Sequence, residues 1–98
     1  MKKHKLYLSL DKFGSRMGLS KLDKEVVTQK NRMIDCLRVA RTKLGLSQGD
    51  LAKKLGTKQP AIARMESGYV GDVSFDFLIR VALALHVPIE LAPIKHAA

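Results

Sequence analysis

The stretch from Ser47 to Gly68, SQGDLAKKLGTKQPAIARMESG, constrains this chain more than any other. It reads as two short helices joined by a tight turn. Ser47 begins the first helix as a cap, and Asp50 three residues on completes an S-x-x-[DE] box in which each residue satisfies the other's backbone N–H. Leu46 and Leu51 stand at the two positions of a hydrophobic staple. Leu51, Ala52 and Leu55 then share a face by their i, i+1, i+4 spacing. Gly56 supplies the left-handed residue that ends the helix. Thr57 is placed to cap the second helix, whose buried stripe is Ile62 and Met65. Two helices that cross steeply need a small side chain at the contact, and Ala52 provides it.

Taken together, Gln48, Ala52, Gly56, Ile62 and Met65 have the spacing of a helix-turn-helix. One or two of these matches would be cheap by chance; five at the right offsets are specific. The stretch resembles the helix-turn-helix of the lambda-repressor/Cro-type (XRE) DNA-binding domains, including its Glu66-Ser67-Gly68 ending, and the resemblance covers roughly Met33 to Leu85. It implies a mainly α fold: a lambda-repressor-like helix-turn-helix bundle of four to five helices, here with short terminal β-strands.

Charge agrees with an anionic partner. Eighteen Lys and Arg against nine Asp and Glu give 98 residues a formal charge of +9, which favours nucleic acid. The length suits one domain with an extension. The lone Cys36 excludes an intramolecular disulfide and fits a reducing, cytoplasmic setting. The start MKKHKLYLSL is basic, but Ser9, Asp11 and Lys12 interrupt its apolar part too soon for a signal peptide. No run approaches a membrane span. His4, His86 and His96 are scattered, so no metal set, nucleophile–base pair or phosphate loop emerges. We therefore expect no enzyme, no catalytic residue, no metal and no cofactor. His86, just after a helix, reads as a C-terminal cap.

Along the chain, residues 1–19 form a basic extension in which Leu6, Leu8 and Leu10 alternate as in a strand. The helix-turn-helix domain spans 20–85. Ser20 and Asp23 offer a capping box, and Leu22, Val26, Met33, Leu37, Ala40 and Leu44 follow helical spacing to the terminator Gly45. Gln29 and Lys30 weaken the middle, so a break near Lys30-Asn31 is expected, with the first core helix running from about Arg32 to Leu44. After a loop marked by Gly68 and Gly71, Ser74 caps a further helix, with Val73 and Leu78 as its staple. That helix carries two apolar stripes: Leu78, Val81, Ala82, Leu85 and Phe75, Ile79, Leu83. Residues 86–98 are a strand and tail, where Val87, Ile89 and Leu91 alternate and Pro88 and Pro93 confine the strand to an edge. A strand at the place where simple members of the family have a fifth helix resembles HigA- and HipB-type antitoxins.

Arg41 shares a face with Leu37 and Leu44 and points inward, where a cation needs a partner; the resemblance implies that this partner is Glu66. On the second helix of the motif, Lys58 and Gln59 stand at the N-terminal tip, and Pro60, Ala63, Arg64 and Ser67 lie opposite Ile62 and Met65. With Thr57, these are the expected DNA-binding residues. Arg64 suits guanine and Gln59 adenine, while Pro60 offers only apolar contact. The resemblance implies that Gln48 touches a phosphate and braces the recognition helix. A two-fold homodimer through Phe75, Ile79, Leu83, Val87, Ile89 and Leu91 would set two recognition helices about 34–36 Å apart on a pseudo-palindromic operator. The expected function is a sequence-specific repressor, with an autoregulating antitoxin of a toxin–antitoxin pair as its narrower form and a toxin protein as a further partner. The alternative is a protein-interaction module that uses the motif as a scaffold.

Overall fold

The computed structural model describes residues 4–9, 19–68 and 73–94. They form β1 (His4–Ser9), α1 (Leu19–Lys43), α2 (Gln48–Leu55), α3 (Gln59–Glu66), α4 (Phe75–Ala84) and β2 (Ile89–Ile94). The fold is the expected mainly helical helix-turn-helix bundle, with four helices among the described residues and β2 after the fourth.

Helix α1 is a single helix of 25 residues, which corrects the break expected near Lys30-Asn31. The physical reason lies in residue types. Between Leu19 and Lys43 there is no Gly or Pro, and Gln and Lys are themselves good helix formers. Gln29 Nε2 donates to Glu25 Oε1 at 2.8 Å one turn back, a helix-supporting pair. Lys30, which interrupts the apolar pattern, has an acceptor of its own: its Nζ donates to the Val73 carbonyl at 2.7 Å. Helix α1 starts at Leu19, so Ser20 lies within it, and the Ser20 side chain lies outside the described residues.

The core draws on every helix. Met33, Ile34 and Leu37 of α1 meet Leu51 and Ala52 of α2, Ile62 and Met65 of α3, and Leu78, Val81 and Ala82 of α4, closed by Val73, Leu85 and Val87. Burying a side chain of this size contributes about 1.5–3 kcal/mol, which makes this cluster the main source of stability. Three residues of the apolar spacing fall outside it: Leu22 is half-buried, Val26 is 52% and Leu44 56% exposed. Val26 lies in the first half of α1, ahead of the core residues Met33 and Ile34, and Leu44 follows the helix end.

The caps hold the helices in register. At α2 the box is complete: Asp50 N–H donates to Ser47 Oγ at 2.9 Å, and Ser47 N–H donates to Asp50 Oδ2 at 2.9 Å. At α4, Phe77 N–H donates to Ser74 Oγ at 3.1 Å, and both staple residues, Val73 and Leu78, are buried. Three helices end with the same paired bonds. Gly45 and Leu46 donate to the Thr42 and Arg41 carbonyls, Gly56 and Thr57 to Lys53 and Ala52, and His86 and Val87 to Leu83 and Ala82. This is the Schellman pattern, which needs a left-handed residue at its first donor. Gly45 and Gly56 supply it at φ 71° and 70°; at α4 a histidine does so, His86 at φ 56°.

Helix α3 departs from expectation at its start. Its N-cap is Lys58, with no side-chain cap bond, and not Thr57. The Thr57 N–H is engaged in closing α2 through the Ala52 carbonyl at 2.9 Å. Pro60, the second helical residue, has no N–H for a cap to satisfy, so a lysine is tolerated at the capping position.

β1 and β2 pair in parallel, His4 opposite Ile89 through Ser9 opposite Ile94. Four helices separate them in the chain, which makes a parallel crossover possible. Two strands leave Pro93 of β2 on a sheet edge, the place proline requires. Leu10, Gly71 and residues 95–98 lie outside the described residues.

Candidate nucleic-acid interface

The face of α3 turned away from the core carries the side chains available for contact. Ile62 and Met65 are 0% and 1% exposed, which fixes the roll of the helix. On the other side Lys58, Gln59, Pro60, Arg64 and Ser67 are exposed, and Ala63 and Thr57 are half-buried. Gln59, Pro60, Ala63, Arg64 and Ser67 fall within one contiguous arc at 100° per residue. Ser67 Oγ donates to the Arg64 carbonyl at 2.7 Å, so its hydroxyl is used in closing the helix.

Beneath this face runs a hydrogen-bonded chain that joins three helices. Arg41 of α1 clasps Glu66 of α3 with two parallel bonds, Nε to Oε2 at 2.7 Å and Nη2 to Oε1 at 2.8 Å. A third guanidinium bond, from Nη1, reaches the Leu46 carbonyl at 2.7 Å. The two side chains are only 12% and 5% exposed. Burial alone would push the Glu66 carboxyl up; the bonds from Arg41 and Gln48 and the Arg41 charge outweigh it together and hold it below its ordinary value. For Arg41, the Glu66 hydrogen bonds raise the pKa against a smaller desolvation cost.

From Glu66 the chain continues outward. Gln48, at the start of α2, donates from Nε2 to Glu66 Oε1 at 3.0 Å. Gln59, at the start of α3, donates from Nε2 to Gln48 Oε1 at 2.7 Å. The sequence pointed to Gln48 and Gln59 separately; their bond to each other is visible only in the fold. The signal for it was a pair of amides at the N-terminal ends of two successive helices, which a sharp turn brings side by side. Lys30, whose bond to Val73 fixes the entry to α4, was missed, because a lysine within an apolar stripe reads as a weakness and not as a tie.

The face expected to form a dimer contact divides in two. Phe75, Ile79 and Leu83 of α4 are 37%, 37% and 69% exposed and line a shallow groove with Pro88 and Ile89. Val87, grouped with them on the sequence, also lines this groove, but at 7% exposed it belongs to the chain's own core. The Schellman turn at His86 is the cause, since it folds the following residue back under α4. Ile89 is half-buried and packs against the same core; the side chain of Leu91 lies outside the described residues.

With this geometry in place, comparison with known proteins gives the class. A family model described as helix-turn-helix, HTH_3, matches residues 37–91. The match covers more than half of the chain and all of α2, α3 and α4. The chain belongs to this XRE-type helix-turn-helix family of DNA-binding transcription regulators. Neither the comparison with curated proteins nor that with solved structures gave a match. Among the described residues, no helix is long and apolar enough to cross a membrane.

Proposed function

We propose that the chain is a sequence-specific repressor that reads an operator with the exposed face of α3. The observation that carries this is the amide pair at the tip of the recognition helix. Gln59 is tethered to Gln48, and Gln48 to the Glu66–Arg41 clasp, so the base-facing amide is oriented before DNA arrives. A preoriented side chain loses less freedom on binding. Gln59 would take adenine by its paired acceptor and donor, and Arg64 would take guanine. Lys58 and the spare N–H of Gln48 would serve phosphate, with each bidentate base contact worth about 1–3 kcal/mol of discrimination. The overall charge of +9 supports a strong non-specific component that salt weakens.

One motif reads few base pairs, so the operator is pseudo-palindromic and the protein binds it as a homodimer. Phe75, Ile79 and Leu83 supply an apolar face that a monomer has no use for. The narrower role is that of an autoregulating antitoxin, supported by the terminal strand in place of a fifth helix.

The test is binding to the chain's own upstream DNA and to a scrambled duplex, across salt, for wild type and for Lys58/Gln59/Arg64→Ala. The wild type should prefer its own promoter, and the variant should keep only a weak, salt-dependent mode. Equal binding of both duplexes by both proteins would remove base reading and leave a protein-interaction module. Sedimentation showing a monomer at tens of micromolar, with and without operator, would remove the dimer. Co-purification with the product of a neighbouring gene, relieved growth arrest included, would decide the antitoxin role.

A further inference from the structure

We propose that the Arg41–Glu66 ion pair, which does not face DNA, is a specificity determinant: it sets the polarity with which Gln59 meets a base. The inference presupposes that Gln59 reads a base edge.

An ionised carboxylate only accepts hydrogen bonds, and a guanidinium only donates. Arg41 donates twice to Glu66 and keeps it ionised, so the Glu66 oxygen facing Gln48 can receive but not give. Gln48 must therefore turn its amide nitrogen inward, as it does at 3.0 Å. Its carbonyl oxygen is then turned outward, and Gln59 must meet that oxygen with its own nitrogen, as it does at 2.7 Å. Every donor in the chain points toward Glu66.

The consequence falls at the exposed end. Gln59 has spent one N–H on Gln48 and keeps its carbonyl oxygen and a second N–H. A carbonyl acceptor beside a donor matches the amino group and N7 of adenine; guanine presents two acceptors, O6 and N7, and repels the carbonyl. An amide has no intrinsic preference for either orientation, since its two ends are nearly the same size. The preference for adenine over guanine is thus fixed three residues away from the base, by the charge type at position 66. Arg41 and Glu66 act here as positioning residues.

The experiment is selection of binding sites from a randomised duplex pool by the full chain, with sequencing of the bound fraction. Three proteins are compared: wild type, Gln59→Ala, and Arg41→Met/Glu66→Met. The double variant replaces the pair with apolar side chains of similar length, the kind of exchange that small proteins tolerate, and circular dichroism with urea unfolding checks its fold. Gln59→Ala identifies the base position that Gln59 reads. At that position the double variant should lose about tenfold or more of the preference for adenine over guanine, while preferences at the other positions stay within about twofold. A purely structural role would lower affinity evenly at all positions. Retention of the wild-type adenine preference by a folded double variant overturns the inference, as does an even loss across all positions. If Gln59→Ala changes no position at all, base reading by Gln59 itself fails, an outcome distinct from failure of the relay. Should the methionine pair not fold, Gln48→Met serves in its place. It cuts the chain between Glu66 and Gln59, and it must relax the same position.

Discussion

Breaking the Arg41–Glu66 clasp from one side should cost far more than removing it whole. In Glu66→Ala the Arg41 guanidinium, 12% exposed, loses two of its three hydrogen bonds and keeps only the Leu46 carbonyl, and Gln48 loses its acceptor as well. Stranding one member of a buried pair costs about 3–5 kcal/mol. The lower end, about 3 kcal/mol, applies here because Arg41 keeps one acceptor and a solvent-facing edge. Arg41→Ala should cost a similar amount, since it leaves Glu66, 5% exposed, with only the Gln48 amide. Against a total stability of about 5–15 kcal/mol for a domain of this size, either loss is large. In Arg41→Met/Glu66→Met both charges go and apolar volume remains, so the cost should fall below about 1.5 kcal/mol. The assay is urea unfolding followed by far-UV circular dichroism on these variants, with wild type, Arg41→Met, Glu66→Met and Arg41→Met/Glu66→Met closing a double-mutant cycle. Two residues that act as a unit give a coupling energy of about 2 kcal/mol or more. Additive single losses, or single losses under about 1 kcal/mol each, would refute the reasoning and reduce the pair to a surface contact.

Two further outcomes follow from the same structure. The Glu66 carboxyl lies below its ordinary value of 4.5 in the folded protein, so the unfolded chain takes up protons first as pH falls. The stabilisation is therefore complete above about pH 4.5 and is lost as pH drops through the folded value; urea midpoints should fall across that window, and less steeply in Glu66→Gln. At the end of α4, His86 holds φ 56°, a conformation that costs an L-residue about 1–2 kcal/mol. His86→Gly should raise stability by a net of about 0.5–1 kcal/mol after the extra freedom of the unfolded chain is subtracted, and an unchanged or lower urea midpoint would count against this account of the turn.

The local signals were legible because they depend on neighbours in the chain. A capping box spans four residues, a staple six, and a terminating glycine one, so Ser47 with Asp50, Val73 with Leu78, and Gly45 and Gly56 could be read without any tertiary knowledge. The roll of α3 followed from Ile62 and Met65 alone. Where expectation failed, a residue was already engaged elsewhere, near or far in the chain. Lys30 looked like a break in α1 until the Val73 carbonyl, 43 residues on, received its ammonium group. Thr57 looked like a cap for α3, but it belongs to the turn that closes α2, and Lys58 stands at the cap position. Val87 reads on the sequence as one more residue of the dimer face, and the His86 turn folds it into the core.

By itself, then, the sequence determined the helix-turn-helix, the capping box and terminating glycine of α2, the face that α3 turns outward and the excess positive charge. Each of these is a matter of spacing along the chain or of composition. Tertiary structure alone decided how the Arg41–Glu66 pair continues through Gln48 to Gln59 and the direction in which the donors of this line point. Those four residues come from three helices, and no local rule orders an amide. Only a fixed carboxylate at one end, held in place by packing, gives the chain a polarity.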